Sequence, residues 1–378
     1  MTAALVLVAD DLTGALDSAA AFATPARPVS VTWSGPPRPS DGLVAVSTET
    51  RDCSAVQARS RTEEAVRGLA GHPPDALVYK KIDSLLRGHP ALEIATVAEA
   101  LRPDRIVIAP AHPSFGRITR GGFQFVRSEA GSEHRIDVDL RGDLSCLGSP
   151  GPGRDPVEIV LADALNEADL ARLVAVERAK GGRILWCGSG GLARALAPAE
   201  PRLLPLPTGR CLGLVGSAHP VSVAQVGALR DAIPGAVIGW TERDDLADVT
   251  ARVERSMREH DLTLLVADMA PTNARRAAGI IAGMLRQVLA GLEAPDLLYC
   301  SGGETLRAVC DAVSAKSLSC EGFVAEGIPL SRLGSGRWPA LPVLSKSGAF
   351  GTATTLLDIL AARVARVADP PSRRESRS

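Results

Sequence analysis

The sequence predicts an α/β protein of two domains, each a mostly parallel sheet flanked by helices. Three observations predict this. Apolar runs of four to six residues alternate with small or polar turns and then with helical stretches, the pattern of repeated βα units. The chain has 378 residues, too many for one ordinary core and suited to two. Hydrophobic residues make up 46% of it but aromatic residues only 3%, so the cores are built from Ala, Val, Leu and Ile. Such cores suit helices packed on parallel strands better than a β-sandwich.

The elements follow in order. Strands are expected at 5–9, 29–33, 43–47, 76–79, 106–109 and 183–187 in the first domain. In the second they are expected at 212–215, 262–267, 297–300 and 342–344. Each is a short apolar run bounded by turn residues. Helices are expected at 14–22, 54–69, 91–101 and 168–178, then at 221–232, 274–292, 305–315 and 352–364. The stretch 274–292 repeats its apolar residues at helical spacing, the mark of a packed face. A proline-rich stretch from Pro198 to Arg210 marks the boundary, giving domains at 1–205 and 210–366. Residues 141–156, rich in Gly and Pro, are expected to form a long loop. The tail 367–378 has a disordered composition.

Charge and cysteine usage exclude several classes. Lys plus Arg number 42 and Asp plus Glu 43, a net charge of -1, so no general field holds nucleic acid or an anionic membrane. The seven cysteines are odd in number and contain no C-x-x-C pair, which points to buried free thiols in a reducing compartment. No His stands at zinc-ligand spacing from a Cys pair. The N-terminus lacks a basic region before its apolar run, and no apolar run has the roughly 18 residues of a membrane span. A cytoplasmic protein is expected, and homo-oligomerisation is left open. Lysines are scarce: only Lys80, Lys81, Lys180, Lys316 and Lys346. Lys is a compact point charge and Arg a planar fork, so retained lysines at 80, 81 and 346 draw a functional reading.

In open parallel sheets, ligands sit beyond the carboxyl ends of the strands, so the turns there carry the chemistry. The first turn is Asp10-Asp11-Leu12-Thr13-Gly14. One carboxylate suffices for a helix cap, and two leave one to bind hydroxyls, a cation or a proton. The second, Ser47 to Asp52, holds Arg51, whose fork suits a carboxylate. The third, Tyr79 to Gly88, packs Lys80, Lys81, Asp83, Ser84 and Arg87 into a few residues, enough to neutralise an anion and orient a hydroxyl. The fourth, Pro110 to Thr119, is a stiff loop carrying His112 and Arg117. In the second half, Gly216-Ser217, Ser301-Gly302-Gly303-Glu304-Thr305 and Lys346-Ser347-Gly348-Ala349-Phe350-Gly351 follow strands. Glycine there allows close backbone approach, and helix N-termini favour anions. A further glycine turn, Gly188 to Gly191, lies in the first half. Neither G-x-x-x-x-G-K-[ST] nor G-x-G-x-x-G occurs, which leaves a nonstandard nucleotide site.

Taken together, these motifs resemble the four-carbon acid sugar kinase family, in the family's order, from residue 5 to about 362. The resemblance implies an N-terminal substrate domain, a C-terminal nucleotide domain, and ATP- and Mg²⁺-dependent phosphorylation of the terminal hydroxyl of threonate, erythronate or an oxo-tetronate. It implies substrate contacts from Asp11, Arg51, Lys81, Ile82, Asp83 and Ser84, and ATP contacts from Ser217, Gly302, Gly303, Glu304, Thr305 and Gly348. Asp11 or Asp83 would orient the reacting hydroxyl, Arg51 and Lys81 would hold the acid, and the metal ligands stay unassigned. The two domains are expected to close on ligand, since water would otherwise compete as acceptor. Two departures stand out. Leu85 replaces the family's usual Thr, and Gly216-Ser217-Ala218-His219 replaces a Gly-Ser-x-Ser form. Two rivals are a non-catalytic sensor of the same ligands and a dehydrogenase or aldolase acting on the same acids.

Overall fold

A computed structural model describes residues 4–33, 42–69, 73, 75–128, 131–144, 157–268 and 274–360. The chain forms two compact units. One comprises the chain through Leu204 together with Lys316–Phe323; the other comprises Pro205–Ala315 and the chain from Val324.

The first unit runs β1 (Leu5–Ala9), α1 (Leu12–Ala20), β2 (Val29–Thr32), β3 (Leu43–Ser47), α2 (Ala55–Gly68), β4 (Leu77–Lys81), α3 (Pro90–Leu101) and β5 (Arg105–Ala109). It continues through β6 (Arg117–Arg120), β7 (Phe123–Arg127), β8 (Glu133–Arg135), α4 (Leu140–Leu144), β9 (Glu158–Leu161), α5 (Glu167–Ala179), β10 (Ile184–Gly188) and α6 (Gly190–Leu196). Its parallel sheet has the order β2-β3-β1-β4-β10-β5-β9. β1 and β3 are buried at every position, as strands covered on both faces must be. Beneath them Val6, Val8, Val44, Val46, Ile94 and Ile106 form one aliphatic core, as the low aromatic content requires. Local signals set the helix starts. Asp11 caps α1 by accepting from the Gly14 amide, and Ser54 with Gln57 makes a capping box on α2. β6, β7 and β8 form a separate antiparallel sheet.

The second unit runs β11 (Cys211–Val215), α7 (Pro220–Ala232), β12 (Val237–Trp240), α8 (Leu246–Glu259), β13 (Leu262–Ala267), α9 (Ala274–Gly291), β14 (Leu297–Ser301) and α10 (Gly303–Ala312), and then β15 (Ser317–Ala325), β16 (Ile328–Leu333) and β17 (Pro342–Lys346). Its strands β12-β13-β11-β14-β17 are parallel neighbours, and β16 adds antiparallel to β17. The first part of β15 belongs to the first unit, where Ser317–Cys320 pairs antiparallel with β2.

Both units are therefore mostly parallel sheets with helices. The apolar-run rule finds the parallel strands that carry the two clusters and misses β16, buried at all but one position, because Pro329, Ser331 and Arg332 interrupt its apolar residues. β15 alternates half-buried and buried residues over Ser317–Cys320, the period of a strand with one face in the core, and so contains no apolar run there. α8 carries its buried Val249, Val253 and Met257 at intervals of four among charged residues. The expected helix at 352–364 is helical over 355–360, and its remainder lies outside the described residues. So do the tail 367–378 and most of the expected loop 141–156, of which 141–144 belongs to α4. The six cysteines among the described residues are free thiols. No described helix is long and apolar enough to cross a membrane.

Candidate functional site

Strands β3, β1 and β4 are neighbours and end level with one another: Ala9 pairs with Ser47 on one side and with Lys81 on the other. From β1 the chain runs through α1 to β2 and β3 on one side and then crosses through α2 to β4 on the other, which makes this end of β1 a switch point of the kind that opens a crevice. The turns after the three strands meet there. Arg51 donates from Nη1 and Nη2 to the two Asp11 oxygens at 2.8 and 2.7 Å, and from Nε to Asp10 Oδ2 at 2.7 Å. Its Nη2 is also 3.6 Å from Asp83. Asp83 in turn accepts a fork from Arg87 at 2.8 and 2.9 Å, and the Leu85 and Arg87 amides at 3.2 Å. Thr13 donates to Asp11 at 2.7 Å. Lys81 Nζ donates to the Ile82 carbonyl at 2.9 Å.

Two glycines make room for this network. A Cβ at Gly14 would strike Asp11 Oδ1 and come within 2.8 Å of Lys81 Nζ. Gly88 has φ +82 and lies where a Cβ would meet the Arg51 backbone at 3.2 Å, so the loop crosses Arg51 only as glycine.

The electrostatics follow from the geometry. Burial alone would raise the Asp11 carboxyl; Arg51, Lys81 and the Thr13 hydrogen bond outweigh it and hold it below its ordinary value. Burial likewise opposes ionisation of Asp83, and Arg51, Arg87 and Lys81 hold it well below the carboxylate range. Both are firmly ionised at neutral pH and so are weak proton acceptors. They can orient hydroxyls better than deprotonate them. Asp10 Oδ1 is buried with no hydrogen-bond partner among the described residues. His112, buried among the same turns, is pushed down to about 3 by burial and then by Lys81, Arg194 and Arg117, so it is neutral.

The second unit repeats the arrangement with different chemistry. β11, β14 and β17 are neighbours and end level, Val215 with Ser301 and Ser301 with Lys346. The three glycine turns converge. A Cβ at Gly216 would lie 2.6 Å from Thr305 Oγ1, one at Gly302 3.7 Å from Ser217 Cβ, and one at Gly348 would collide with Ser217 Oγ. Gly302, the N-cap of α10 at φ +100, has no side chain with which to cap the first amides. The carbonyls of the 347–352 loop are tied down. Ser222 Oγ donates to Gly348 O at 2.8 Å, Gln225 to Thr352 O at 2.8 Å, and Lys346 Nζ to Ser347 O and Phe350 O at 2.8 and 3.0 Å. A trans peptide sets its N–H opposite its C=O, so tying Gly348 O turns the next amide the other way. Helix starts and turned-out amides are the groups from which anion cradles are built.

The comparisons with known proteins divide the chain at the same two clusters. A family model described as a sugar-binding N-terminal domain matches residues 5–141, and one described as a nucleotide-binding C-terminal domain matches residues 212–356. A D-threonate kinase of Cupriavidus necator is 30% identical over 93% of this chain and 96% of its own. The chain belongs to the four-carbon acid sugar kinase family. A D-erythronate kinase of Heliobacterium modesticaldum is 25% identical over 97% of this chain and 99% of its own. A solved structure from Salmonella typhimurium LT2 shares the fold, with a TM-score of 0.65 and 20% identity over 93% of this chain and 98% of its own.

In this family member the structure brings Asp11, Arg51, Lys81, Ile82, Asp83 and Ser84 to one place in the first unit. It brings Ser217, Gly302, Gly303, Thr305 and Gly348 to one place in the second, with the exposed Glu304 in the first turn of α10. Asp10, Thr13 and Arg87, named in their turns by the sequence but given no ligand contact there, join the first cluster. Arg87 had a signal, since it stands four residues after Asp83. Lys80 does not join it: Lys80 Nζ makes a fully buried ion pair with Glu93 at 2.7 Å. Among the described residues no group of three or more His, Cys, Asp or Glu is placed to hold a metal.

Proposed function

We propose that this kinase transfers the γ-phosphoryl group of ATP to the terminal hydroxyl of a four-carbon sugar acid, the first unit binding the acid and the second the nucleotide. One observation carries the reading. The strand ends of the first unit gather three carboxylates and several cations, whereas those of the second gather glycines, hydroxyls and uncapped helix amides. A small polyhydroxy acid needs directed charges and acceptors; a triphosphate needs close backbone and N–H groups. Phosphoryl transfer proceeds through a loose transition state and asks for positioning and charge stabilisation more than for a strong base. The firmly ionised Asp11 and Asp83 fit that demand as hydroxyl acceptors. Mg²⁺ would travel with the phosphate oxygens, as it does when a protein supplies few ligands, and Glu304 is the carboxylate these turns offer it. D-Threonate is the acceptor to try first, because it is named for the relative that is 30% identical.

The test is ADP release with ATP, Mg²⁺ and a panel of D-threonate, D-erythronate and 3-oxo-tetronate. Acceptor-dependent ADP release with a phosphorylated acid as product is expected. Gly348→Ala should raise KM for ATP by about tenfold or more, through the clash with Ser217, and leave KM for the acid within about twofold. Absence of acceptor-dependent turnover across the panel would overturn the proposal.

A further inference from the structure

Binding an acid requires a donor pair that is not already closed by a protein carboxylate, and most cations of the first cluster are closed. Each of the three Arg51 nitrogens already donates to Asp10 or Asp11. Arg87 forks onto Asp83, and Lys80 is sealed against Glu93. Lys81 is a single ammonium beside Asp11, already donating to Ile82 O.

Arg117 differs from all of these. Its Nη1 donates to the Phe115 carbonyl, and its Nε is buried with no acceptor among the described residues. Among the described residues it makes no ion pair, and its Nε–Nη2 edge donates to nothing. That edge is the side of a guanidinium that takes a carboxylate through two parallel hydrogen bonds.

Arg117 is also aimed and fixed. It begins β6, and alternation puts its side chain on the same face as Thr119. Thr119 donates to Gln124 Oε1 at 2.7 Å, and Gln124 Nε2 donates to Ser84 O at 2.8 Å. That face of β6 therefore lies against the 83–84 loop, and the charges of Asp83 and Arg87 both act on Arg117. Its backbone is held on both sides. The His112 and Arg117 backbones exchange hydrogen bonds at 2.8 and 3.0 Å, and the Arg127 amide donates to Gly116 O at 2.7 Å.

We propose that Arg117 receives the carboxylate of the sugar acid through its Nε–Nη2 edge, beside Arg51, which holds Asp10 and Asp11 in place. This rests on the acid-binding reading of the first unit. It gives the site a reason to prefer an acid over the corresponding polyol. The cluster holds three carboxylates (Asp10, Asp11, Asp83) against Arg51, Lys81, Arg87 and Arg117, so one cation is left for one anionic ligand.

The test is calorimetric binding of D-threonate and of its uncharged analogue threitol to the full-length wild type, Arg117→Met and Arg117→Lys. Loss of a charge-assisted hydrogen-bond pair should weaken threonate binding to Arg117→Met by about 100-fold and leave threitol within about threefold. Arg117→Lys, which keeps the charge but not the fork, should fall between. In turnover, KM for the acid should rise far more than kcat falls. If Arg117→Met does not fold, the threonate-to-threitol ratio of Arg117→Lys gives the same reading. Threonate affinity within about threefold of wild type in the variant used overturns the assignment of Arg117 alone. A wild type that binds none of the four-carbon acids overturns the function proposed above, and this assignment with it.

Discussion

At His112, burial and the nearby cations Lys81, Arg194 and Arg117 act in the same direction, and Asp17 across Gly190 does not reverse them. The imidazole is held at about 3, so the native state keeps it neutral while the unfolded chain takes up a proton near the ordinary value of 6.5. The unfolded state thus binds more protons between these values, and stability falls as pH drops through that window. Asp11 and Asp83 add to the fall only below about 4, because their native carboxyls are depressed and the unfolded ones protonate there. Between pH 7 and pH 4 the His112 contribution is about 3 kcal/mol. Urea unfolding at the two pH values should therefore show a loss in wild type that shrinks by about that amount in His112→Gln. An unchanged loss would mean that His112 titrates normally. The sequence places His112 in a stiff loop and gives no hint of this, because its neutrality depends on neighbours from distant turns. The same limit applies to the lysines. Their scarcity marks 80, 81 and 346 alike, yet Lys81 reaches the charged cluster, Lys80 faces a helix, and Lys346 ties down a loop. Strand alternation could separate Lys80 from Lys81, since adjacent residues point to opposite faces.

Elements show why that separation matters. Lys80 on β4 and Glu93 on α3 form an ion pair with side chains at 0% and 1% exposure, and neither Glu93 oxygen accepts a hydrogen bond among the described residues. A pair so dry contributes little net stability but is hard to break from one side. Glu93→Gln or Lys80→Met should each cost about 3–5 kcal/mol by stranding the partner. The double variant Lys80→Met/Glu93→Leu should recover most of that, because packed apolar groups replace both charges. Chemical denaturation of the four proteins measures it, and additive single losses would show that the two residues do not act as a pair. At this scale the sequence was informative about turns and silent about adjacency. Each glycine turn is legible from its composition after an apolar run. That three of them meet depends on the order β11-β14-β17, which is set by crossovers through whole helices and not by any local signal. Asp11, Arg51 and Asp83 are likewise legible as polar residues after strands, and their union depends on β3-β1-β4 being neighbours.

In the whole molecule, the first unit is discontinuous in sequence, and that is what a reading of boundaries from composition could not supply. The proline-rich stretch near residue 200 marks where the chain leaves the first unit, but Lys316–Phe323 returns to it. Ser317–Cys320 pairs with β2, burying Leu318 and Cys320, and the Leu204 amide donates to Phe323 O at 2.7 Å. Without this segment β2 would be an exposed edge with a row of unpaired backbone groups. Leu318 and Phe323 are nearly fully buried, and each such side chain contributes about 1.5–3 kcal/mol. A fragment ending at Leu204 should therefore be less stable than the first unit of the intact chain by about 3–6 kcal/mol, and prone to associate through β2. Adding a peptide of residues 316–323 should raise its denaturation midpoint in a concentration-dependent way, as expected for a ligand of the native state alone. Hydrogen exchange gives the decisive reading. The amides of β2 should lose protection first in the fragment and regain it with the peptide, whereas fragment and intact chain with equal protection at β2 would show that the returning segment adds nothing to the sheet.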